Sequence, residues 1–275
     1  MTSAVIGAVA RASLAEARER LESVLATADK AVLGGELFAV LHLVDREHGL
    51  RRAISDPAAN PQAKADLVAG LLQGKVSAAA VSVVQDLVRL RWTRPSELAD
   101  ALETLAVTAE AARAESEGVL DDLEDELFRF SRILESEPQL RSALTNPALP
   151  DERKVQVLRA LLEGKATAST LLLVTELVVH PRGRSLESGL AHTGRLVAQR
   201  RERLVALVRS AVDLTEQQRT RLAAVLSAAY GHDVHLNIEL DPSVLGGLSI
   251  QIGDEVIDGT IAGRLDEVRR RLGGS

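Results

Sequence analysis

The sequence predicts a mainly α protein, with two tandem six-helix-bundle-like domains followed by a small α/β C-terminal domain. Three observations carry this. A block of residues recurs after a shift of 90, apolar residues keep helical spacing to about residue 200, and the spacing then turns to the alternation of strands.

The shift lays Glu36–Lys75 over Glu126–Lys165, with 14 identities in 40 positions and no gap. Identical pairs include Glu36/Glu126, Leu37/Leu127, Phe38/Phe128, Leu50/Leu140, Arg51/Arg141, Pro57/Pro147 and Gly74/Gly164. Lysine is scarce, yet Lys64 pairs with Lys154 and Lys75 with Lys165. Duplication explains this and chance does not.

Within copy one, Ser13-Leu-Ala-Glu16 reads as a capping box opening a helix that carries Leu14, Ala17, Leu21, Val24 and Leu25. Leu37, Val40, Leu41 and Val44 mark a second helix, ending near Gly49. Asp56-Pro57 and Asn146-Pro147 break the two copies alike. Asn60 and Pro61 open a helix to Leu72, and Gly74 and Gly164 end the corresponding helices. Ser77–Leu90 is apolar nearly all round, as a central helix should be. Val-rich Leu171–Val179 could pass for a strand, but its register with Ala-rich Ser77–Leu90 makes it a helix. A helix after Arg94-Pro95 runs to about Glu117 and also opens copy two. In the tail, Leu204–Val212 alternates as a strand, Thr215-Glu-Gln-Gln218 caps a helix to Tyr230, and Val234, Leu236, Ile238 and Leu240 alternate strictly. Leu248–Ile252 and Glu255–Ile257 form a hairpin, and a last helix covers about 260–272. The domains are then 1–115, 94–205 (sharing the linking helix) and 206–275.

Composition narrows the function. Aromatic residues make up 2%, which disfavours stacked bases or flat cofactors. With no cysteine, thiolate chemistry and thiolate-held metals are excluded. A net charge of −6 disfavours nucleic acid as a partner. The most apolar runs, Ala78–Val84 and Leu171–Val174, are far too short to span a bilayer, and Met1–Leu14 lacks the pattern of a secretion signal. A cytosol-facing protein without direct membrane insertion is expected.

Candidate chemistry reads as structure. Gly70-Leu-Leu-Gln-Gly74-Lys75-Val76-Ser77 has three residues between its glycines where a phosphate loop needs four, and Val76 where it needs a hydroxyl. His232 and His235 would point to opposite faces of a strand. His42, His48, His180 and His192 have no partner constellation near them in sequence. Asp121, Asp122, Glu124, Asp125 and Glu126 read as a solvated, dipole-complementing helix start, and Arg200, Arg201 and Arg203 as a solvated helix end. The alternative for those arginines is a surface for an acidic partner helix. Trp92, at the end of a helix, reads as packing, with an exposed binding anchor as the alternative. No catalytic residue, cofactor or metal site is expected. Short amphipathic helices leave grooves for another helix, so interaction is the chemistry on offer.

The tail carries a specific resemblance. Asp241-Pro242-Ser-Val-Leu-Gly246-Gly247, then Ile252-Gly253-Asp254-Glu-Val-Ile257-Asp258-Gly259, then Arg264-Leu265, resembles the C-terminal signature of the delta subunit of F-type ATP synthases, the oligomycin-sensitivity-conferring protein family. Val208–Glu216, Tyr230–Val234, Leu140–Pro147, Lys154 and Gly164-Lys165 resemble further blocks in the same order, so the likeness covers about Gly118–Leu272. It implies a non-catalytic peripheral-stalk connector, peripheral to the cell membrane on its cytoplasmic side. Such a subunit links the N-terminal helix of an alpha subunit to the b subunits and holds the catalytic head still against rotor torque during ATP synthesis. Two departures stand out. Met1–Glu117 is additional, resembling an actinobacterial form, and His180-Pro-Arg-Gly-Arg184 keeps only Gly183 and Arg184 of an Asn-Gly-Arg-type turn. A helical adaptor of the same fold in another complex is the alternative.

Overall fold

A computed structural model of the chain describes residues 7–201, 204–230, 234–241, 244, 247–252 and 255–258. Copy one is built from α1 (Ala8–Leu25), α2 (Lys30–Arg46), α3 (His48–Ser55), α4 (Pro61–Leu72) and α5 (Ala78–Arg89). After α6 (Pro95–Ser116) come α7 (Leu120–Ser136), α8 (Pro138–Thr145), α9 (Asp151–Leu162), α10 (Ala168–Val179) and α11 (Leu186–Arg201). The boundaries of α2 to α5 reappear in α7 to α10, each displaced by the 90 residues of the repeat. The Val-rich segment is helix α10, as its register requires.

The residues shared by the copies are those that stop and start helices. Asn60 accepts hydrogen bonds from the Gln62 and Ala63 amides at 2.8 and 3.3 Å, and Pro61 needs no amide at the first turn. Gly74 and Gly164 take φ of +76° and +71°, a conformation open to glycine, just past the ends of α4 and α9. The glycine-lysine segment is therefore a helix-ending turn. Asp56 and Asn146 each turn the chain by accepting an amide two residues on, at 2.8 and 2.9 Å. Glu36 accepts the Ser77 amide at 2.8 Å and its hydroxyl, while Glu126 accepts the Thr167 amide at 2.9 Å and its hydroxyl. The same carboxylate thus braces the start of α5 and of α10. Glu126 serves this internal purpose rather than belonging to a solvated acidic run.

The opening of α1 departs from expectation. Ser13 is a buried mid-helix residue whose hydroxyl donates to the Arg91 carbonyl at 2.8 Å. Alanines at 8, 10 and 12 carry the helix upstream of the apparent capping box.

The centre of the helical unit is α6. It closes copy one and opens copy two, and its end is a Schellman turn at Gly118 (φ +73°), with the Val119 amide donating to the Ala114 carbonyl at 2.8 Å. One hydrophobic core runs through both copies, from Ala10 to Val197. The chain divides into two compact units, residues 1–200 and 201–275, so both copies fall in one unit.

In the second unit β1 (Leu204–Ser210) leads through α12 (Glu216–Tyr230) to β2 (Val234–Leu240), then β3 (Leu248–Ile252) and β4 (Glu255–Asp258). Strand order is β2-β1-β3-β4, with β1 and β2 parallel and the other pairs antiparallel. Parallel pairing needs a crossover, which α12 supplies. Its expected capping box forms, with the Thr215 amide donating to Gln218 Oε1 at 2.9 Å and the Gln218 amide to Thr215 Oγ1 at 3.3 Å. Ala206, Val208, Leu226, Val234, Ile250 and Ile252 form the core of this unit. The helix expected over 260–272 lies outside the described residues.

Close packing around α6 creates one tight spot. A Cβ on Gly34 of α2 would stand 2.4 Å from Oε1 of Glu110 on α6. Glu110 is fully buried; Ser169 of α10 donates to its Oε2 at 3.0 Å, and its Oε1 has no partner. Burial raises its pKa above the ordinary range, with Ser169 and Arg113 only partly opposing. Gly34→Ala should therefore cost about 1–3 kcal/mol in urea unfolding. Most of that cost should vanish in a Glu110→Ala background. Because the folded state holds the Glu110 proton more tightly than the unfolded chain, this residue's contribution to stability falls as pH rises above about 4.3. Glu110→Gln should thus gain stability over wild type between pH 5 and 8 in thermal melts, the gain growing with pH.

Candidate functional site

Where a chain has two copies of one module, the face on which they meet is the first candidate for function. That face is α2 of copy one, packed on α6 and facing α10. In α7 the buried set is Leu123, Leu127, Phe130 and Leu134, a single helical stripe. In α2 the matching residues Leu33, Leu37, Val40 and Val44 are buried, and so are Gly34, Phe38 and Leu41. This second stripe faces copy two. The repeat-identical phenylalanines show the difference: Phe38 is 4% exposed and Phe128 is 64% exposed. Copy two has Glu124, Asp125 and Ser131 where copy one has Gly34, Gly35 and Leu41, so its α7 presents charge where α2 presents close-packing residues.

Charges lock the joint. Arg182, in the turn after α10, has a left-handed backbone (φ +50°) beside Gly183 (φ +73°). Its guanidinium reaches Asp45 of α2 at 2.8 Å, Asp100 of α6 at 3.1 Å, and Glu103 of α6. Arg184 also pairs with Glu103. Burial works against the Arg182 charge, but Glu103, Asp45 and Asp100 outweigh it and keep its pKa above the ordinary value. Burial likewise pushes the Asp100 pKa up, with Arg182 opposing. The residue matching Arg182 in copy one is Trp92, which is buried and donates its indole N–H to the Leu87 carbonyl at 2.9 Å. One repeat position is a packing residue in copy one and a clamp between copies in copy two.

A second strap crosses the unit. Arg200, at the end of α11, bonds Glu22 of α1 at 2.8 Å and Glu115 of α6 at 2.6 Å. This corrects the reading of Arg200 as a solvated helix end: two acids from other helices hold it in place. Arg201 is exposed, and Arg203 lies outside the described residues.

Asp121, Asp122 and Asp125 are exposed at the start of α7. The structure brings His42 to Glu176 and His180, from which it is far apart in sequence. The four-residue interval from Glu176 to His180 was the one signal that could have found them. His48 lies 3.0 Å from an Arg51 nitrogen, and burial, then Arg184, lowers the His192 pKa. His232 and the side chain of His235 are outside the described residues. Of the tail signature, Asp241 donates its amide to the Ser210 carbonyl at 2.9 Å, Gly247 has φ +106°, and Ile257 pairs with Ile250 across the hairpin. Asp258 pairs with Ser249 in the same ladder. Pro242, Gly246, Gly253, Asp254, Gly259 and Leu265 lie outside the described residues. No described helix is long and apolar enough to cross a membrane.

Residues 106–272 match the family model described as "ATP synthase delta (OSCP) subunit". The chain belongs to that family. It is similar to the ATP synthase subunit delta of Thermobifida fusca, at 53% identity over 97% of this chain and 99% of that protein. The corresponding protein of Streptomyces griseus is 47% identical over 98% and 100%. That of Kineococcus radiotolerans is 45% identical over the whole of both chains. The family model starts within α6, so copy one precedes it; these delta relatives nevertheless match copy one as well.

The clamp gives this delta-family chain a testable joint. Arg182→Met should lower the stability of the helical unit by about 1–3 kcal/mol, because buried Glu103 and half-buried Asp45 each lose one of two arginines, keeping Arg184 and Arg51 respectively. Hydrogen exchange should show the loss spreading to α2 of copy one, well away from the substituted turn.

Proposed function

We propose that this chain is a structural, non-catalytic subunit of an F-type ATP synthase, the peripheral-stalk connector that joins the catalytic head to the b subunits. The observation that carries the reading is family membership together with near full-length similarity to proteins named ATP synthase subunit delta. The chain works from the cytoplasmic side of the cell membrane as part of the complex, and holds the head stationary against rotor torque.

Three working modules serve this role: 1–115, 94–205 and 206–275. The N-terminal helix of an alpha subunit docks on copy two, and the tail meets the b subunits. Supporting the first contact, copy two is the bundle within the family match, and it carries exposed Phe128, Ile133 and Leu161. Supporting the second, Asp241, Pro242, Gly246, Gly247, Gly253, Asp254, Ile257, Asp258, Gly259 and Leu265 form the tail signature that resembles the family's. The helical unit suits a stiff arm, since clamp, strap and shared helix all oppose movement of one copy against the other.

Because the copies share α6 and one core, the test keeps the chain whole. Phe128→Glu with Ile133→Arg should weaken capture of an alpha-subunit N-terminal peptide about tenfold or more, with Val32→Glu and Leu67→Glu in copy one as controls. Equal loss from the copy-one changes would overturn the preference for copy two. A strain without this chain should fail to couple proton flow to ATP synthesis; full coupling in that strain would sink the connector role itself.

A further inference from the structure

We propose that His42, Glu176 and His180 form a binding site for one transition-metal ion, with zinc the best fit, and that the ion clips copy one to copy two. Glu176 lies in the last turn of α10 and His180 caps that helix, and the two bring their donor atoms together there. His42 comes from α2 of copy one. Nε2 of His42 is 2.7 Å from Oε2 of Glu176, and the two imidazole rings lie 3.7 Å apart between centroids at a tilt of 36°. One donor atom from each residue falls within 4.8 Å of the other two. Small side-chain rotations therefore bring all three onto an ion at about 2.0–2.2 Å.

The donors choose the ion. Two imidazole nitrogens and one carboxylate oxygen suit zinc and its neighbours better than calcium or magnesium, which prefer oxygen alone. Three protein ligands leave a fourth position for water. A small cleft bordered by Glu176 and His180 adjoins the cluster, and Glu103, Arg182 and Thr193 line its polar side while Phe38 and other apolar residues line the rest. Arg182 does not repel the cation strongly, because Asp45, Asp100 and Glu103 already match its charge. His42 and Glu176 keep 28% and 21% of their side-chain surface exposed, so an ion can enter from solvent.

The repeat provides an internal comparison. Glu176 and His180 correspond to Asp86 and Leu90 of copy one, and His42 corresponds to Arg132 of copy two. Neither copy holds the set alone, so the donors assemble only through the joint. Without an ion, the His42–Glu176 hydrogen bond holds the contact; with one, three coordinate bonds replace it.

The test uses the full-length chain stripped with a chelator. Titration calorimetry with zinc should give one ion per chain at micromolar affinity or better. Cobalt(II) should develop the intense visible bands of a four- or five-coordinate site. Saturating zinc should raise the melting temperature of the helical unit by about 5 °C. His42→Ala and His180→Ala should each weaken binding about tenfold or more and abolish the thermal shift, while a His232→Ala/His235→Ala double variant changes neither. Far-UV circular dichroism checks that each variant is folded. Failure of the wild-type chain to bind, or unchanged zinc affinity in the His42 and His180 variants, overturns the site.

Discussion

One helix with no free face organises the helical unit. Of the 22 residues of α6, 15 are buried, including Leu98, Leu102, Leu105 and a series of alanines. A helix so enclosed cannot serve one bundle and ignore the other. The alanines set the spacing, since small side chains let neighbouring helices approach closely, and Gly34 on α2 takes that approach to its limit against Glu110. Burying an unpaired carboxylate oxygen there is costly, so Glu110 trades stability for a fixed crossing of α2, α6 and α10.

The charged contacts then act on a geometry that packing has already fixed. Arg182, Arg184 and Arg200 each join elements from different parts of the chain, and each meets acids on α6. Arg182 is held by Asp45 on one side and Glu103 on the other, so sliding α2 along α10 would break ion pairs before it opened the core. In a chain proposed to resist torque, stiffness comes from this order of events. Partly buried pairs add little net stability against apolar alternatives, yet they oppose displacement because each lost partner strands a desolvated charge.

How far the fold was legible depended on whether the signal was local. Helix starts and stops are written in short motifs, and the 90-residue repeat lets copy one vouch for copy two, which identifies Val-rich α10 as a helix. The repeated Glu36 and Glu126 could be seen as identical but not understood, because the helix starts that they brace lie 41 residues away. Ser13 misled because its motif was right for a cap while the alanines before it kept the helix going. The joint was invisible: Arg182 and Asp45 are 137 residues apart, and the Phe38/Phe128 identity says nothing of their opposite exposure. The tail signature was legible as a resemblance, and the family match bears out the recognition.

The contact between the copies is head-to-tail: α2 of the first lies against α10 of the second. Such a heterologous contact has no natural end, and where nothing closes it, identical units can add one after another into a filament. Here α7 carries Glu124 and Asp125 in place of the glycines that let α2 come close, and its Phe128 stands among charges. A further copy, or another molecule, would have to bury two carboxylates at the crossing. The charges on α7 therefore oppose a third unit in the series, so that duplication does not by itself make this helical unit the seed of a polymer.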